Sequence, residues 1–173
     1  MTSSISPKAT PGPILGFRVR VLAHDDAARL SRFYQALPEQ SRYFFEPYAD
    51  VSVDAMNEVV RRALSGFDFS SVALDEAGGI IGHFFFMDVA SEVPHLGIGL
   101  REDAQGTGLG GVFLAYLIAV GRRVLRKNAI GLTVMKTNAR ALRLYQRHGF
   151  QIVREDVSFR SANDSYEMRL TFD

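Results

Sequence analysis

Residues 95–111 read HLGIGLREDAQGTGLGG, and they constrain this chain more than any other stretch. Six of the fifteen glycines fall in its last fifteen residues, so the backbone there must do something that a side chain would obstruct. Leu96, Ile98 and Leu100 alternate like one face of a strand. The glycine-rich turn Gln105-Gly106-Thr107-Gly108-Leu109-Gly110 follows, and then an apolar run over residues 112–120 that predicts a buried helix. Strand, glycine turn and helix start together suit a phosphate. Free N–H groups point out of such a turn, and the helix dipole favours an anion.

Composition removes several alternatives. A length of 173 residues fits one domain with a real core. A net charge of +1 gives no warrant for nucleic-acid binding. With no cysteine there is no disulfide, thiolate zinc site or cysteine nucleophile, and the four histidines lack metal-ligand spacing, so no metal is expected. No apolar signal core follows a basic segment, and the longest apolar run is about half a membrane span. The expectation is a cytoplasmic protein with no membrane association. Residues 1–13, rich in Ser, Thr and Pro, predict a loose tail, and residues 14–173 a single domain.

Along the chain, residues 17–22 predict the first strand. Leu30, Phe33, Tyr34 and Leu37 mark a helix closed by Pro38. Residues 41–48, SRYFFEPY, read as an aromatic loop, and Met56, Val59, Val60 and Leu64 mark a second helix. Strands are expected over 70–74, 80–89 and 95–100, the apolar helix to about Lys127, and a strand over 129–135. Asn138 is a plausible cap for a helix ending at Gly149. Two further strands follow, at 150–159 and from Tyr166 to the end, with a turn over 161–164. This order gives a mixed α/β sheet with helices on both faces. The alternating last strand could serve an interface between two copies in a homodimer.

Gly106-Thr107-Gly108-Leu109-Gly110-Gly111 matches the dinucleotide fingerprint in letters, but residues 101–105 separate it from its strand and residues 131–135 hold no ribose-binding acid. No Gly-Lys-Ser/Thr follows, so a nucleoside-triphosphate loop fails as well. Gln105-x-x-Gly108-x-Gly110 instead resembles the Gln/Arg-x-x-Gly-x-Gly/Ala signature of the GNAT acetyltransferase superfamily. One helix and one strand later, Asn138-x-x-Ala141-x-x-Leu144-Tyr145-x-x-x-Gly149-Phe150 is similar to that family's second conserved segment. The element order fits from about Gly16 onward.

The resemblance implies a mostly antiparallel sheet whose fourth and fifth strands splay, acetyl-CoA in the opening, and acyl transfer to an amine by direct attack within a ternary complex. It places the cofactor on Leu100, Gln105, Gly106, Thr107, Gly108, Leu109, Gly110 and Asn138, with the Leu100 N–H on the thioester oxygen. Asn138 could equally serve only as a cap. Tyr145 would protonate the departing thiolate or hydrogen-bond its sulfur. It lies seven residues from Asn138, nearly the same helical azimuth. The general base is less determined. Where the family often carries Glu, this chain has His95, which titrates near neutrality; Gly97 and Gly99 share its strand parity and could leave room for a ligand. Asp88 and Glu92 are alternatives. Tyr43, Phe45 and Glu46 are the candidate acceptor-binding residues, with the alternative that the aromatics merely plug the sheet end. A non-catalytic acyl-CoA-binding module with the same fold is the second functional reading.

Overall fold

The computed structural model describes residues 17–158 and 164–172, so the expected N-terminal tail and most of the expected turn at 161–164 lie outside the described residues. Seven strands form one sheet in the order β1-β2-β3-β4-β5-β7-β6. They are β1 (Arg18–Val21), β2 (Phe69–Leu74), β3 (Ile80–Met87), β4 (His95–Leu100), β5 (Ala129–Met135), β6 (Gln151–Val157) and β7 (Ser165–Thr171). Every neighbouring pair is antiparallel except β4 and β5.

The apolar alternation of each strand decides which helices cover which face. On one face, α1 (Ala27–Gln35) and α3 (Val53–Leu64) bury Leu30, Phe33, Met56 and Val60 with Val72 and Leu74 of β2. On the other, α4 (Leu109–Ala119) drives Phe113, Leu114 and Leu117 onto Phe84, Phe86, Ile130 and Leu132. The amphipathic α5 (Ala139–Arg147) lays Ala141, Leu144 and Tyr145 against the same core. β3, apolar in both parities, is covered on both sides as its composition requires. The buried Asp26 anchors the start of α1. It accepts from Arg20 at 2.8 Å, from Arg29 at 3.0 Å and from the Ala23 amide at 2.8 Å.

Two elements depart from expectation. Pro38 ends the first helix but also caps a second, α2 (Glu39–Phe44), so half of the expected aromatic loop is helical. As the N-cap it precedes the first turn, so its missing N–H costs the helix no hydrogen bond. The apolar helix, expected to run to Lys127, stops as an α-helix at Ala119 and continues as a π-helical turn over Val120–Val124. The widening falls where Gly121 is pressed onto Ile130; a methyl at Gly121 would lie 2.8 Å from Ile130 Cγ2.

Candidate active site

The site begins where the sheet fails to close. β4 and β5 share a single registered pair, His95 with Gly131, closed by the Gly131 N–H donating to the Pro94 carbonyl at 3.1 Å. Beyond it the two strands diverge. On the other edge of β4, the Arg101 N–H donates to the Ile81 carbonyl at 2.8 Å, and β3 pairs with β4 in regular antiparallel register. Alternate residues of an antiparallel strand turn their N–H and C=O to opposite edges. Gly97, Gly99 and Arg101 therefore bond toward β3, while Ile98 and Leu100 aim their backbone groups into the gap facing β5. The Leu100 carbonyl is engaged there by Gln105 Nε2 at 3.1 Å. Its N–H points into the same gap.

At the mouth of the gap stands the glycine loop. Residues Glu102–Ala104 make one 3-10 turn, and Gln105 is extended. Gly106 and Gly108 then take φ of 81° and 90°, the left-handed region that side chains disfavour. The first bonds of α4 run from the Gly111 and Val112 amides to the Gly108 carbonyl. The Leu109 and Gly110 amides lie ahead of that ladder. No acidic residue stands in the first turn of α4, so its positive end is not neutralised from within. A methyl at Gly108 would meet no protein atom within 4 Å, and the guanidinium of Arg140 stands beside Gly106. This cradle fits an anion of pyrophosphate size, and a narrow gap lined by backbone groups fits an amide-bearing arm.

The gap and loop open into one cleft of about 1070 Å³. It brings together His95, Leu100, Gln105, Gly106, Gly108, Gly110, Asn138, Tyr145, Phe45 and Glu46. Three predicted residues are placed otherwise. Thr107 does not line the cleft; its hydroxyl donates to the Ala104 carbonyl at 2.7 Å and pins the loop from behind. The Leu109 side chain is 2 % exposed in the core, which leaves only its amide to face a ligand. Tyr43 is 48 % exposed and outside the cleft lining, because α2 turns it away from the side that Phe44 and Phe45 present.

Asn138 accepts from the Ala141 amide at 3.1 Å, so it does cap α5, and its residue also lines the cleft. Tyr145 is half-buried, with its ring 5.9 Å from that of Phe150, and burial pushes its hydroxyl up to about 12. It stays protonated near neutrality. His95 Nε2 lies 3.3 Å from Thr133 Oγ1. Burial lowers the pKa of this imidazole; Glu167 opposes that shift and Arg169 adds to it. A lowered pKa keeps the ring neutral at pH 7, the form that accepts a proton. Asp88 and Glu92 are exposed and outside the cleft lining. Among the described residues no cluster of His, Asp and Glu could hold a metal ion.

The room expected at Gly97 and Gly99 is taken by protein. A methyl at Gly97 would overlap the Phe85 ring, and one at Gly99 the Phe45 ring. These glycines seat aromatics, which form one wall of the cleft. Phe45 stacks on Tyr34, with centroids 6.2 Å apart, and tilts against Phe85 at 6.3 Å. Behind them His83 is fully buried between Tyr34 Oη and Ser70 Oγ, each at 2.6 Å, and burial lowers it to about 3. It is the hydrogen-bonded core histidine that its place in an apolar strand suggests. Thr133 and Ser41 escaped the sequence reading. Thr133 could have been noticed as the one hydroxyl in the apolar run of β5. Ser41, which accepts from Gln105 Nε2 at 3.2 Å, gives no signal in sequence because the contact spans 64 residues.

The family model described as the acetyltransferase (GNAT) domain matches residues 17–151, most of the chain. The chain belongs to the GNAT acetyltransferase family. Its activity class is therefore acyl transfer, with acetyl-CoA as the cosubstrate. No curated protein sequence matches it. Among solved structures, this GNAT chain is similar to ribosomal-protein-S5-alanine acetyltransferase from Vibrio fischeri, with a TM-score of 0.79 at 14 % identity over 92 % of this chain and 94 % of that one. It is also similar to spermidine N-acetyltransferase from Vibrio cholerae in complex with CoA and spermine, with a TM-score of 0.73 at 18 % identity over 90 % and 95 %. A GNAT-family acetyltransferase from Streptococcus pneumoniae gives 0.72 at 21 % over 90 % and 99 %. At these identities the likeness is one of fold. Among the described residues, no helix of this GNAT domain is long and apolar enough to cross a membrane.

Proposed function

We propose that this protein is an N-acetyltransferase that moves an acetyl group from CoA to a primary amine by direct transfer while both substrates are bound. Acetyl-CoA supplies the activated acyl group as a thioester. The reading is carried by one observation: β4 turns the backbone groups of Ile98 and Leu100 into a gap that β5 leaves open, with the glycine loop at its mouth.

In this reading the amides around Gly106, Gly108 and Gly110 hold the pyrophosphate, helped by the α4 dipole and Arg140. The arm that follows takes the place of the missing strand beside β4. The Leu100 N–H donates to the thioester oxygen, where negative charge grows as the amine nitrogen bonds to the carbonyl carbon. His95 takes the proton that the nitrogen gives up. The carbon–sulfur bond breaks, and Tyr145 donates its proton to the departing sulfur. One proton gained at His95 and one given by Tyr145 balance; solvent restores both residues after the amide and free thiol leave. Because the Tyr145 pKa is about 12, the hydroxyl acts as a hydrogen-bond donor that yields its proton only as the sulfur becomes anionic. Holding amine and thioester together supplies much of the acceleration, since aminolysis of a thioester needs little help from the leaving group. No cysteine exists to carry a covalent acyl intermediate.

A thiol-release assay with acetyl-CoA and a panel of primary amines tests the proposal. Amine-dependent release with formation of the N-acetyl product is expected. Tight CoA binding without turnover of any amine would refute it and leave a binding module.

A further inference from the structure

The charges and rings lining the cleft are unevenly divided. One stretch of the cleft lining gathers Phe44, Phe45, Pro47, Phe85 and Met87, with Gln40 and Ser41 as its polar members. Glu46, between Phe45 and Pro47 in sequence, is the carboxylate that accompanies these rings in the lining. The other lining acid, Glu102, belongs to the turn that leads into the glycine loop. Arg140 and Arg147 of α5 line the same cleft, so acids and arginines cancel across it.

We infer that the acceptor is a monoamine carrying an aromatic or similarly bulky apolar group close to its nitrogen, rather than a polyamine. The inference rests on the acyl-transfer reading above and narrows it. A polyamine brings several ammonium groups from water, and each needs a carboxylate to offset its desolvation. Among the described residues this cleft is lined by two acids, Glu46 and Glu102, against the two arginines Arg140 and Arg147, which leaves no surplus of negative charge for several ammonium groups. An apolar flank, by contrast, meets a wall that already exists. Phe45 is fixed by the bare backbone of Gly99 beneath it, by Tyr34 stacked on it and by Phe85 at its side. A ring fixed before binding loses little entropy when a second ring packs on it, and edge or offset contacts between rings add to the area buried. A monoamine brings only one positive charge to be offset.

The shared chemistry, an amine next to an aromatic group, occurs both in free arylalkylamines and at a peptide N-terminus that begins with Phe. The test therefore measures kcat/KM, by thiol release with acetyl-CoA, for 2-phenylethylamine, a Phe-headed dipeptide, n-butylamine and spermidine. At least one aromatic acceptor should exceed both n-butylamine and spermidine by about tenfold, or 1.4 kcal/mol; which of the two is better identifies the source. Phe45→Leu, checked by thermal melting and CoA affinity, should compress the aromatic-to-alkyl ratio to near unity. Met87→Glu, which adds a carboxylate to the same wall, should shift the ratio toward spermidine. Spermidine equal to or better than the aromatic amines in the unaltered protein, or a ratio unmoved by both substitutions, overturns the inference while acyl transfer stands. Absence of thiol release with every amine instead overturns acyl transfer itself.

Discussion

Gly108→Ala isolates the phosphate cradle from every other property of the fold. Gly108 has φ of 90°, so any L-residue there carries the left-handed penalty of roughly 1–2 kcal/mol. A methyl at this position meets no protein atom within 4 Å. The strain therefore has no steric addition from the protein, and the new group projects only into the cleft. Gly66, at the end of α3 with φ of 77°, is the matching control: equally open around an added methyl, and not part of the cleft lining. Both Ala variants should lose about 1–2 kcal/mol of stability, and at roughly 2–4 °C per kcal/mol for a domain of this size the melting temperature should fall by about 2–8 °C. Strain present in both free and bound protein cancels in a dissociation constant. Gly66→Ala should thus bind CoA as the unaltered protein does, whereas Gly108→Ala should lose at least about tenfold, 1.4 kcal/mol, if the pyrophosphate approaches the loop amides as proposed. Calorimetric titration with CoA beside thermal melting reads both quantities. Equal destabilisation with unchanged CoA affinity in Gly108→Ala would place the phosphate elsewhere.

Tyr145→Phe should lower kcat by about 10²–10⁴-fold, the usual contribution of general acid catalysis, while the CoA dissociation constant stays within a few-fold; steady-state kinetics with calorimetry checks the split. His95→Gln should remove the acidic limb of the kcat/KM profile. In the unaltered enzyme that limb should centre below the ordinary histidine value of 6.5, because burial favours the neutral ring and the active form persists to lower pH; a limb above that value contradicts the assignment. Asp26→Asn should cost about 1.5–3 kcal/mol through the charged hydrogen bonds from Arg20, Arg29 and Ala23, measured by urea unfolding at neutral pH. Burial would raise the Asp26 pKa, yet the arginines and the amide together hold it below its ordinary 3.8. Its contribution is therefore complete above about pH 4 and disappears as pH falls through the lower folded value, so the variant should flatten the stability profile there.

Much of this geometry was legible in the chain. Leu96, Ile98 and Leu100 announced β4 by alternation, Gly106 and Gly108 announced a turn with positive φ, and Asn138 to Gly149 marked a capped helix. Local rules sufficed because each feature is decided within a few residues. The aromatic stretch was harder to read. The division between Phe45, which walls the cleft, and Tyr43, which faces outward, depends on α2 being a helix. Pro38 signals an ending as strongly as a beginning. Gly97 and Gly99 look like space in a sequence; only the rings arriving from Phe85 and Phe45, distant along the chain, show whose space it is. Thr133 joined the site because β5 meets β4 at one register, which no local pattern encodes.

That single registered rung between β4 and β5 has a mechanical consequence. The sheet consists of two half-sheets, β1 to β4 and β5 to β7, joined by one registered pair and by the core that α4 packs across both. Parting one rung costs less than unzipping a full ladder, so hydrogen exchange at this seam is expected to report a sub-global opening below the unfolding free energy. If acetyl-CoA binds in the gap as proposed, it works as mortar as well as cosubstrate. At a hundred times its dissociation constant it adds about 2.7 kcal/mol to the folded state. Cellular supply of the acyl donor would then set how long the protein survives between turnovers as well as how fast it works.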